Sequence, residues 1–175
     1  MSWNFETENY IVRLPISDQD GDALYQLLSQ QAVVDHIPRM AMTVDAQALD
    51  ELRRVAMRFE GREAAFWLIE EKNSGKLQAR IGIQYINWMM LNAQLQLELS
   101  PEFPLDGLKE VLTEIKNYLF NELHLHRLET RIRTGISGLP EKLLALGFEQ
   151  EGTLPSQFEY EGEDVSLDVY SIISE

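Results

Sequence analysis

The sequence predicts an α/β protein with a mixed sheet flanked by helices, on three observations. Between Leu95 and Leu123 the hydrophobic period switches from two to helical: Leu95, Leu97 and Leu99 alternate with polar residues, whereas Leu108, Val111, Leu112, Ile115, Leu119 and Leu123 follow at three- and four-residue steps. Arg127 to Arg133 then returns to strict alternation, as a half-buried strand should. Before the switch, two apolar runs separated by Asn73-Ser74-Gly75 read as a hairpin. A helix therefore starts directly after a strand, across the turn Ser100 to Gly107. That arrangement turns several backbone N–H groups and the positive end of the helix dipole into the turn, a geometry suited to phosphate.

In chain order, Tyr10-Ile11-Val12-Arg13-Leu14 is a first strand, ended by Pro15. Ser17 or Asp18 can cap a helix through Leu24, Leu27 and Leu28, and a loop follows around His36-Ile37-Pro38-Arg39. Thr43 or Asp45 opens a second helix carrying Leu49, Leu52, Val55, Ala56 and Phe59, which Gly61 stops. Ala64–Glu70 and Leu77–Trp88 form the hairpin, and Asn92 marks the turn into the strand that ends at Leu99. After the central helix and the strand Arg127–Arg133, Pro140 suits the first turn of a further helix with Leu143, Leu144 and Leu146 on its apolar side. Gly147 stops that helix, and Leu167–Ile173 closes the chain as a strand. The order is β-α-α-β-β-β-α-β-α-β-β, without repeat, low-complexity tract or linker, so residues 1–175 read as a single domain.

Composition narrows the function. Hydrophobic residues make up 45% of the chain and charged residues 25%, enough for a packed core. Asp plus Glu total 29 against 15 Lys plus Arg, and the net charge of −14 repels nucleic acid and anionic lipid while attracting basic peptides. There is no cysteine, and His36, His124 and His126 lack metal-ligand spacing, so no metal is expected. The start, Met1 to Glu6, lacks a basic-then-apolar leader, and no run approaches the ~20 apolar residues of a membrane span. The expectation is a cytoplasmic protein, monomer or homodimer.

Several phrases, taken together, resemble the GNAT superfamily of acyl-CoA-dependent N-acyltransferases and, within it, the branch that acetylates ribosomal-protein N termini. They are Leu99-Ser100-Pro101-Glu102-Phe103, Asn121-Glu122-Leu123-His124-Leu125-His126-Arg127-Leu128-Glu129 and Leu146-Gly147-Phe148-Glu149-Gln150-Glu151-Gly152, in family order and at near-normal spacing. The resemblance implies a mostly antiparallel sheet splayed between its fourth and fifth strands, with about four helices around it. It implies acetyl-CoA as cofactor, with pantetheine pairing to backbone near Leu97 and Leu99 and pyrophosphate held by the turn at Asp106, Gly107, Leu108 and Lys109. The chain departs from the family pattern where Pro104 and Asp106 replace part of the glycine-rich loop, and where Ile136 and Leu139 replace a polar pair. Asp106 reads equally well as the cap of the helix beginning at Gly107.

Acetyl transfer needs a neutral amine and a polarised thioester carbonyl. Glu98, on the face opposite Leu95, Leu97 and Leu99, is the candidate base or else a solvated strand residue, and the Leu99 N–H is a candidate carbonyl donor. Trp67, Tyr85 and Trp88 read either as a substrate groove or as core, and the resemblance places His36 and Arg39 at substrate entry. The acceptor is expected to be a basic peptide, such as a ribosomal-protein N terminus, or a small amine. The alternative is a catalytically inactive GNAT-fold binding or regulatory module that has lost acetyl-CoA binding.

Overall fold

A computed structural model describes residues 2–175. Eight strands form one sheet: β1 (Phe5–Glu6), β2 (Tyr10–Arg13), β3 (Ala65–Glu71), β4 (Leu77–Asn87), β5 (Asn92–Leu99), β6 (Arg127–Arg133), β7 (Glu149–Tyr160) and β8 (Glu163–Ile173). Their spatial order is β1-β2-β3-β4-β5-β6-β8-β7. Every neighbouring pair is antiparallel except β5 and β6, which run parallel because the central helix carries the chain back between them. The helices are α1 (Gly21–Leu28), α2 (Gln31–Val34), α3 (Ala46–Glu60), α4 (Leu105–Asn117) and α5 (Leu139–Ala145). Among the described residues no helix is long and apolar enough to cross a membrane.

Strand alternation divides the core between two faces. Trp67, Ile69, Ile81, Ile83, Leu95 and Leu97 pack with Leu108, Val111, Leu112 and Ile115 of α4. Leu68 turns the other way, towards Leu24, Leu28 and Leu52 of α1 and α3. Arg80 and Glu98, opposite each other in the β4–β5 register, share that second face. Gly82 is required there because a Cβ would meet the Phe66 ring at 2.2 Å.

The elements follow the sequence pattern closely, with local differences. Neither Ser17 nor Asp18 caps α1; Asp20 precedes it, and its carboxylate accepts hydrogen bonds from Arg13 and from the Ile16 N–H at 2.6 Å. The loop before α3 contains the four-residue α2, too short to leave a periodic trace. The central helix ends in a π-helical turn, Tyr118–Glu122, where Tyr118 joins an aromatic cluster with Trp3, Phe5 and Trp67.

Candidate functional site

The β5 and β6 strands diverge. Their ladder registers Asn92 with Arg127, Ala93 with Leu128 and Gln94 with Glu129, while β5 continues to Leu99 and β6 to Arg133. The chain after α2 enters the resulting wedge. The His36 carbonyl accepts the Arg133 N–H at 2.7 Å, the His36 ring contacts the Leu97 carbonyl at 2.6 Å, and Asp35 pairs with Arg133 at 3.0 Å. A carbonyl only accepts, so His36 Nε2 carries the proton. Burial pulls the His36 pKa down, outweighing Leu97, Glu98 and Asp35, and keeps the ring neutral.

His36 thus bridges the strands and separates two cavities. One, about 310 Å³, lies between His36, Leu99, Pro101, Ile136 of the loop before α5, and Leu139 and Lys142 of α5 itself. The other, about 650 Å³, opens on the opposite side between α3, the Ile37–Arg39 loop and the polar faces of β4 to β6. In an antiparallel strand the N–H and C=O of one residue point to the same side. The bond at the Leu97 carbonyl therefore marks the free edge of β5, along which the Leu97 and Leu99 N–H groups lie. His36 was expected at substrate entry; it sits in the wedge, on the very carbonyl to which pantetheine was expected to pair.

At the end of β5 the turn differs from expectation. The cap of α4 is Pro104, whose carbonyl accepts the Leu108 N–H at 3.0 Å; Asp106 lies inside the first turn and makes no capping bond. With φ fixed near −72° and ψ at 153°, Pro104 has the extended backbone a cap needs, so an Asx cap is unnecessary. The N–H groups of Leu105, Asp106 and Gly107 have no backbone partner within the helix, as at any helix start. Gly107 is buried, and a Cβ there would meet the Tyr10 hydroxyl at 2.2 Å and Phe103 at 2.9 Å. Its missing side chain thus has a packing cause. Leu108 is a core residue, while Lys109 and Asp106 are exposed. The residues present can accommodate acetyl-CoA: a free strand edge, a cavity beside it and unpaired donors at a helix start, with the Asp106 carboxylate as a local opposing charge.

The larger cavity rests on a buried ionic network that the sequence reading did not find. Arg80 donates to Glu98 Oε1 from Nε at 3.0 Å and from Nη2 at 2.6 Å, and from Nη1 to Glu51 at 3.0 Å. Gln96 adds a third bond to Glu98 Oε1, at 2.7 Å. Glu51 also receives Arg39 at 3.0 Å and Arg54. Burial would raise the Glu51 carboxyl, but the charges of Arg80 and Arg39 prevail and hold it down to about 2. The Arg80 guanidinium lies 4.5 Å from the Phe66 ring centroid. The signal available in sequence was a lone arginine inside the apolar run Ala79–Ile83, which demands a buried counter-charge.

Glu98 is neither solvated nor placed as a base. It is fully buried and tied to Arg80; Oε2 has no hydrogen-bond partner, and Arg39 Nη1 stands 3.9 Å from it. A general base must reach the proton it removes, and this carboxylate touches neither cavity. Of the other expected residues, Arg39 and Tyr85 do line the larger cavity. Tyr85 reaches it from a bulge between Gln84 and Asn87, with φ of 51°. Trp67 is core, fully buried and donating to the Trp3 carbonyl at 2.7 Å. Trp88 stands outside the cavity, under Arg62 and bonded to its carbonyl at 2.9 Å.

Residues 11–137 match the family model described as the acetyltransferase (GNAT) domain. An uncharacterized N-acetyltransferase of Bacillus subtilis, YoaA, is 27% identical over 96% of this chain and 95% of its own. Among solved structures, the Salmonella typhimurium acetyltransferase that modifies the N-terminal serine of ribosomal protein L7/L12 superposes with a TM-score of 0.86 at 13% identity, over 97% of each chain. Spermidine N-acetyltransferase from Vibrio cholerae, in complex with CoA and spermine, gives 0.79 at 17% identity, over 94% of this chain and 95% of that one.

Proposed function

The chain belongs to the GNAT acetyltransferase family, and on that premise we propose that it is an N-acetyltransferase carrying acetyl from acetyl-CoA to a primary amine, either a protein N terminus or a small molecule. One observation carries this reading: β5 and β6 part after Gln94 and Glu129, leaving a free strand edge with a cavity on each side of His36. When bound, acetyl-CoA supplies a thioester carbon open to attack by an amine.

The chain's own groups then divide the work. The donors at Leu105, Asp106 and Gly107 face the anionic end of the cofactor, and the 310 Å³ cavity takes its narrow arm beside β5. The Leu97 and Leu99 N–H groups orient and polarise the carbonyl. The amine enters from the larger cavity, where arginine charges disfavour its protonated form; its nitrogen would bond to the acyl carbon as the carbon–sulfur bond breaks, its proton passing to the solvent with which the cavity is continuous and the departing thiolate taking a proton from that solvent. Arg80, Glu98 and Glu51 hold β4, β5 and α3 in fixed relation.

The test is incubation with acetyl-CoA and a panel of peptides starting with Ser or Ala, free amino acids and spermidine, read by mass spectrometry. One acetyl added at an amine of at least one acceptor is expected. No acetylated product and no free thiol release beyond the protein-free rate would contradict the reading.

A further inference from the structure

The larger cavity has a charge opposite in sign to that of the protein. Four arginines line it, Arg39, Arg54 and Arg58 from the α3 side and Arg131 from β6, in a chain with only 15 basic residues and a net charge of −14. The neighbouring carboxylates are already engaged: Glu51 and Glu98 by Arg80, and Glu129 by Arg131 at 3.1 Å. Counting Arg80, five guanidinium groups stand against three carboxylates. Arg58 contacts no carboxylate among the described residues. Its partners are neutral, Gln84 Oε1 at 3.3 Å and the face of Tyr85, whose ring centroid lies 5.6 Å away.

We infer that the acceptor is an amine that also carries a carboxylate or similar anionic group near the amine, and that Arg58 and Arg131 receive that group. This rests on the acetyltransferase reading and narrows it. It reverses the expectation of a basic acceptor, because the overall charge of −14 describes the far field whereas the cavity sets the contact. Planar guanidinium groups present paired donors that fit a carboxylate, and a polyamine would bring like charge to like. The same field that attracts the anion disfavours the ammonium form of the amine, which supports both binding and reactivity.

The experiment titrates the intact protein, without acetyl-CoA, with three fluorescent peptides that share an N-terminal serine and are followed by glutamates, by alanines or by lysines; free glutamate and spermidine serve as competitors. The acidic peptide is expected to bind about tenfold more tightly than the basic one, with the difference shrinking as salt rises. Arg58→Gln and Arg131→Gln, both partly exposed and outside the buried network, are each expected to remove several-fold of that preference with unchanged thermal stability. Displacement by free glutamate assigns the site to amino-acid-like acceptors, and displacement by acidic peptide alone assigns it to protein N termini. Equal or tighter binding of the basic peptide or of spermidine, or an acidic preference that survives both substitutions, overturns the inference. A separate acetyl-CoA titration of the same protein tests the transferase reading, so the two can fail independently.

Discussion

Glu98 sits where strand alternation puts it, opposite Leu97 and Leu99, yet what that position means depends on Arg80 across the β4–β5 register. Alternation along a strand is read from its own residues; the partner of a buried charge lies on another strand and cannot be read locally. Replacing Glu98 with Gln keeps the shape and removes the charge, leaving Arg80 with Glu51 as its only carboxylate. Breaking a buried pair in this way is expected to cost on the order of 3 kcal/mol, seen as a lower denaturant midpoint. The acid limb of the kcat profile of the folded variant should stay where it is in the parent. Loss of that limb with stability unchanged would make Glu98 the base after all.

At the scale of elements, the central strand, turn and helix were legible because the period changes across them, and α3 and β6 followed from apolar spacing alone. What the pattern could not show was which residue caps α4. Asp106 fits the local rules for a cap, and the extended backbone at Pro104 puts the cap two residues earlier. Nor could it show that His36 fills the wedge, since the contact to Leu97 joins residues far apart in the chain. Placing Asp106 in the first turn changes its expected effect. Its carboxylate favours the helix dipole by roughly 0.3–1 kcal/mol while opposing a bound phosphate. Asp106→Asn should therefore lower the melting temperature slightly and tighten coenzyme A binding several-fold at low salt, measured by calorimetry. Unchanged or weaker binding would place the pyrophosphate away from this turn.

For the whole molecule, acid is the informative perturbation. The His36 pKa is depressed in the folded state, so the unfolded chain takes up that proton first, and the associated stability, full above pH 6.5, declines as pH falls below it. Glu51 behaves alike in a lower window: its stabilisation is complete above its ordinary 4.5 and is lost as pH falls towards about 2. The second step should amount to about 3 kcal/mol and be absent in Glu51→Gln, as urea unfolding at a series of pH values would show. A stability that stays flat across the acid range would mean that the network around Arg80 is solvated rather than buried. The central claim, that the free edge of β5 and the cavity beside it at Leu99 and Pro101 seat acetyl-CoA, is tested most directly by calorimetric titration of the intact protein with acetyl-CoA. The account predicts saturable one-to-one binding in the micromolar range, whereas no heat with ligand at millimolar concentration would contradict it.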